Sequence, residues 1–129
     1  MNLPSSQSQA AAVSPGSMRA LAAAGALLAA LAVALSAYAA HLADAHSQSR
    51  LQTAAIFAFG HGIALAALAP SARRLLTRIA LFALLIGVAV FSGGLAAAYF
   101  FAASTGWVPF GGSLMILAWL VYAVDALRR

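Results

Sequence analysis

Three runs of apolar residues, Ala20 to Ala40, Leu51 to Ala69 and Ile79 to Ala103, contain no Asp, Glu, Lys or Arg, and a fourth, Gly111 to Leu127, contains only Asp125. An α-helix needs about 20 apolar residues to cross the hydrocarbon of a bilayer. In that medium each backbone N–H and C=O must be satisfied inside the segment, which leaves helices as the natural form for such runs. The pattern predicts an all-α membrane protein, an antiparallel four-transmembrane-helix bundle with spans at about 20–40, 51–69, 79–103 and 111–127. Connections of roughly ten residues or fewer favour an up-down-up-down order.

The four spans use nearly everything after residue 18 of a 129-residue chain, so no soluble catalytic domain fits beside them. The residues before them, 1–18, are rich in Ser, Gln, Ala and Pro without apolar periodicity and read as a disordered tail, with 19–129 as the transmembrane domain. Ala37-Tyr38-Ala39 has the small-x-small form of a signal-peptidase site, but the run before it exceeds the 7–15 residues of a signal-peptide core, which favours a retained span. With no cysteine, no Glu and its only two acids, Asp44 and Asp125, at the membrane edges, the chain has no thiolate nucleophile and no embedded carboxylate, and it reads as no enzyme, with no cofactor and no metal expected.

Charge gives direction. Arg19, Arg73, Arg74, Arg78, Arg128 and Arg129 fall on one side of a four-span arrangement, and only Arg50 falls on the other. The positive-inside rule then places both termini and the middle loop in the cytoplasm. Arginines scattered between apolar runs do not form a nucleic-acid-binding stripe.

The embedded polar residues are few. His61 lies ten residues into the second span, about 15 Å by helical rise, between Gly60 and Gly62, and an ionisable group at that depth is a candidate functional site. The structural alternative is a neutral imidazole bonded to another helix, with Ser92 of the third span as partner. His41, Asp44 and His46 gather at the outer end of the first span, where a capped, solvated helix end is the simpler reading than a metal site, with Arg50 available to pair with Asp44. Asp125 is expected to pair locally with Arg128 or Arg129. Small residues four apart, Gly25/Ala29, Gly60/Ala64 and Gly93/Ala97, predict close helix packing, and Gly94 is adjacent. Pro109, Gly111 and Gly112 read as a turn ahead of the fourth span.

Read in order, Ser36-Ala37-Tyr38-Ala39-Ala40-His41, Phe57-Ala58-Phe59-Gly60-His61, Phe91-Ser92-Gly93, Pro109-Phe110-Gly111-Gly112 and Ala118-Trp119 form a recurring pattern. It resembles the domain of unknown function 423 family of small bacterial membrane proteins, over about residues 20 to 127. That family has Gly-Ala-Phe-Gly-Ala-His, Tyr-x-x-x-His, Phe-Ser-Gly-Ser, Thr-Pro-x-Gly-Gly and Gly-Trp in this order. Here Ser36, Ala39 and Ala118 stand where the family has glycine, Phe57 where it has tyrosine and Gly94 where it has the second serine. The resemblance implies a bacterial inner-membrane protein with its first helix retained, and implies no reaction.

Three functions fit these residues. The leading one is a non-catalytic partner, assembly or structural protein in contact with the lipid bilayer, a second copy or another membrane protein. The alternative is a small transporter or channel using His61. A third, haem held between His41 and His61, suffers from their difference in depth.

Overall fold

A computed structural model of the chain describes residues 14–41 and 43–128. These form four helices, α1 (Pro15–His41), α2 (Ala45–Leu68), α3 (Leu75–Phe100) and α4 (Val108–Leu127), with a single 3-10 turn, Ala69–Ser71, after α2. All four are long and apolar enough to cross a membrane. The architecture is an all-α four-helix bundle.

Each helix starts where the local chemistry allows it, which is earlier than hydropathy alone suggests. Pro15 opens α1, a position where its missing N–H costs nothing, and Ser17 bonds back to the Ser14 carbonyl through both N–H and hydroxyl. The expected tail is therefore corrected at its inner end. Pro15 to Met18 are helical, and Met18 is buried in the core against the bundle; residues 1–13 lie outside the described residues. Likewise α4 begins at Val108 with Pro109 in its first turn, so Pro109, Gly111 and Gly112 are helical and not a turn. The actual connection is 101–107, where Ala102 takes a left-handed φ of 52° and lets the Ala103 N–H reach back to the Ala97 carbonyl.

The bundle is built from two tight hairpins, α1 with α2 and α3 with α4, joined along α2 and α3. Each hairpin closes on a reciprocal pair of glycines. A Cβ on Gly62 would sit 2.6 Å from the Gly25 carbonyl oxygen, and one on Gly25 would sit 2.6 Å from the Gly62 oxygen. Gly87 and Gly111 repeat the arrangement between α3 and α4, at 3.0 and 2.7 Å. Such proximity lets backbones touch, which matters in lipid because no difference in hydrophobicity drives helices together there.

Gly60 and Gly93 do not pack: nothing lies within 4 Å of a Cβ at either. The reason is angular. Two residues advance an α-helix by about 200°, so Gly62 and Gly60 point to opposite sides. Gly94 faces Val108 of α4, seven residues on from Gly87 and so on the same face. The interior holds Leu21, Leu65, Leu81, Leu84, Val88 and Met115, while Ile56, Ile63, Ile86, Ile116 and Leu120 stand outward as an exposed apolar surface.

Candidate functional site

His61 projects from α2 one turn after Phe57, and the two rings stack at 5.8 Å with an interplanar angle of 9°. Phe57 in turn meets Phe91 of α3 at 4.8 Å. On the other side of His61 stands Trp119 of α4, 6.1 Å away between ring centres, and beyond it Tyr122. The imidazole thus sits at the middle of an aromatic row that runs across three helices.

Its protonation pattern follows from its partners. An indole N–H can only donate, and Trp119 Nε1 lies 3.2 Å from His61 Nε2. Nε2 is therefore the bare nitrogen, and Nδ1 carries the proton that it donates to the Phe57 carbonyl at 2.7 Å. Both nitrogens of a neutral ring are occupied. A second proton would set an N–H against the indole N–H and break this direct hydrogen bond between α2 and α4.

The expected partner of His61, Ser92, is not part of this arrangement. The Phe57–Phe91 contact fixes the register of α2 against α3. From that level His61 lies one turn toward the arginine-rich end and Ser92 one residue toward the other, a separation of roughly 7 Å. Ser92 is buried, and its hydroxyl oxygen has no hydrogen-bond partner.

His41 ends α1 and is exposed. The Gly25–Gly62 crossing puts His61 near the level of Gly25, about 24 Å along α1 from His41. The two histidines are not brought together. Nor does α1 continue to Asp44. That aspartate is instead the N-cap of α2, with Oδ1 accepting from the backbone N–H groups of Ser47 at 3.0 Å and His46 at 3.1 Å. It makes no ion pair with Arg50, and no group of three His, Cys, Asp or Glu among the described residues could hold a metal ion.

The Ser47 amide bond holds the Asp44 carboxyl below the usual aspartate range. A lowered folded-state pKa means that the cap contributes in full above the ordinary value and is lost as pH falls through the depressed one. We therefore expect the amide protection of Ser47 to be constant near neutrality and to drop only below about pH 4. Asp44→Ala should remove it at all pH values, and Asp44→Asn should keep it without the acid transition. Hydrogen exchange by NMR reads both.

The polar arrangement that sequence reasoning misses lies at the opposite end. Asp125 of α4 has no exposed surface; of its two expected partners it does not pair with Arg128, and Arg129 lies outside the described residues. Its Oδ2 accepts from the Thr77 hydroxyl, and Arg74 Nε lies 3.3 Å from Oδ1, an ion pair without hydrogen-bond alignment. Arg74 also donates from Nη1 to the Asp125 carbonyl at 3.2 Å. The carboxylate is thereby held beside the first turn of α3, where the helix dipole favours negative charge. A signal for this exists in the chain: Thr77 and Asp125 are polar residues at the same end of antiparallel neighbours.

Smaller polar links occupy the end away from the arginine-rich one. Ser36 and Gln52 exchange two hydrogen bonds between α1 and α2, and the Tyr38 and Tyr99 hydroxyls meet at 3.3 Å between α1 and α3. Beside the Ser36–Gln52 link, α1 and α2 leave an open groove of about 650 Å³ bounded by Ala32, Val33, Ser36, Ile56, Phe59 and Gly60. Its walls are apolar apart from Ser36, whose hydroxyl is engaged with Gln52. In comparisons with protein families, curated proteins and solved structures, the chain matches none.

Proposed function

We propose that this chain is a non-catalytic membrane protein that works through helix–helix contacts, as a partner, assembly or structural element in a bacterial inner membrane. The observation that carries the reading is the internal satisfaction of its embedded ionisable groups. Both His61 nitrogens are bonded within the chain, and Asp125 is neutralised by Arg74. What remains toward the bilayer is apolar surface with an open groove between α1 and α2. The order of short motifs that resembles the domain of unknown function 423 family supports the bacterial inner membrane.

The antiparallel helices gather Arg19, Arg73, Arg74, Arg78 and Arg128 at one end and leave Arg50 at the other. By the positive-inside rule the proposed orientation has both termini in the cytoplasm.

A second reading, transport or conduction through His61, draws on the half-buried position of that ring near mid-span. It requires His61 to exchange partners during a cycle. Proteoliposomes discriminate the two. On our reading proton and cation flux stays at the lipid background and His61→Ala changes nothing, whereas affinity capture of the full chain from mild detergent recovers a stoichiometric membrane partner or a homo-oligomer. Flux that depends on His61, or capture of the bare monomer alone, overturns it.

A further inference from the structure

A second groove, of about 380 Å³, runs between the start of α3 and the end of α4. Leu76 forms one wall, Leu120, Val121 and Val124 the other, and Arg128 closes it at the arginine-rich end. The α4 residues lie at i, i+1, i+4 and i+8, one face of the helix, so the apolar wall leads along about 12 Å to the guanidinium. All four apolar residues are well exposed.

Charge decides what suits this groove. Arg74 is spent on Asp125, but the side chains of Arg73 and Arg128 are exposed and have no partner among the described residues. Arg128 lines the groove, and Arg73 belongs to the same arginine-rich end without being part of the lining. The chain holds only two acids. Asp44 is at the far end, and Asp125 is buried with its charge already matched. Among the described residues the rim is therefore basic, with no exposed acidic side chain to balance it. An apolar channel parallel to the helix axes, with uncompensated cations at the level of the membrane surface, is complementary to one kind of molecule.

We infer that this groove binds a single anionic phospholipid, with an acyl chain against Leu76, Leu120, Val121 and Val124 and the headgroup phosphate on Arg128, at the end of the bundle where Arg73 adds further positive charge. A zwitterionic lipid carries its own ammonium beside the phosphate and gains less from these arginines, so the site selects net negative headgroups. The inference needs only the membrane-embedded character of the chain and holds whether or not a protein partner exists.

Native mass spectrometry of the full chain in neutral detergent tests it, with phosphatidylglycerol and phosphatidylcholine of identical acyl chains as probes. One phosphatidylglycerol should be retained per chain, in preference to phosphatidylcholine, and Arg128→Gln should weaken its retention about fivefold, the effect of one arginine near an anionic surface. Val124→Trp, which fills the channel, should weaken both lipids, with Leu120→Trp as the second blocking variant. Far-UV circular dichroism should stay unchanged, since these side chains face outward. Glycerol phosphate should not displace the lipid, because a headgroup alone lacks the apolar half of the site. Equal retention of the two lipids, an Arg128→Gln variant that keeps the preference, blocking variants without effect, or displacement by glycerol phosphate would each overturn the assignment.

Discussion

Gly62→Val is expected to separate α1 from α2 and to cost about 4 kcal/mol, the upper range for a single substitution. The new side chain would begin 2.6 Å from the Gly25 carbonyl oxygen and 2.8 Å from the Ala29 nitrogen. Both are backbone atoms of a continuous helix, so neither can swing aside as a flexible side chain can. Relief requires moving the helices apart along the crossing. That movement forfeits close van der Waals packing, and lipid wets the separated surfaces equally well, so no hydrophobic force draws them back. Gly62→Ala should cost about 2 kcal/mol, a typical overpacking penalty. Gly60→Ala, two residues away and facing open space, should stay within about 0.5 kcal/mol of the parent. Reversible unfolding in mixed micelles at increasing SDS fraction measures all three. If Gly60→Ala and Gly62→Ala lose stability equally, the crossing does not depend on the glycine contact.

The contrast between these neighbours also shows what a sequence can and cannot reveal. Apolar runs with few charges make the four helices legible, because length and hydropathy are properties of each segment alone. Gly25 and Ala29 are legible as a packing site, and both do line the α1–α2 crossing. The partner face is not, because Gly-His-Gly at 60–62 offers one glycine to each side of α2, and only the position of α1 decides between them. The same limit explains Ser92. It suits His61 on approximate depth, but a hydrogen bond needs register good to a fraction of a turn, and the Phe57–Phe91 contact shifts that register. Trp119 reads from sequence as a residue facing lipid or another helix; its role as the donor to Nε2 depends on the position of α4. Helix starts are legible in principle. Pro15, Asp44 and Pro109 are each start signals, and the helices begin at them rather than at the first residue of each apolar run. Asp125 suggests a surface ion pair because arginines lie nearby in sequence. Its burial comes from the return of α4 against the start of α3, which no local pattern encodes.

The Arg74–Asp125 pair carries the other large effect, and the two partners should not be equivalent. The Asp125 side chain has 0% of its surface exposed, while that of Arg74 has 45%. Removing the cation by Arg74→Met leaves a carboxylate in the protein interior without its countercharge, a change expected to cost about 3 kcal/mol, the lower end for breaking a buried pair. Removing the anion instead leaves a guanidinium that can already turn toward water or headgroups. Asp125→Leu should therefore cost less, about 1–2 kcal/mol, chiefly through the lost bond with Thr77. Asp125→Asn, which keeps an acceptor for that hydroxyl, should cost about 1 kcal/mol. The double variant Arg74→Met/Asp125→Leu buries no unpaired ion and should cost no more than Asp125→Leu alone, about 1–2 kcal/mol, since the Thr77 bond is lost in both. A double-mutant cycle on the SDS unfolding scale would then give a coupling of about 3 kcal/mol. Additive single effects would show that Asp125 is held by Thr77 alone and that Arg74 is free to serve the basic rim with Arg73 and Arg128. Strong coupling instead separates the functions of adjacent arginines, with Arg74 locking α4 to α3 and its neighbours left for the membrane surface.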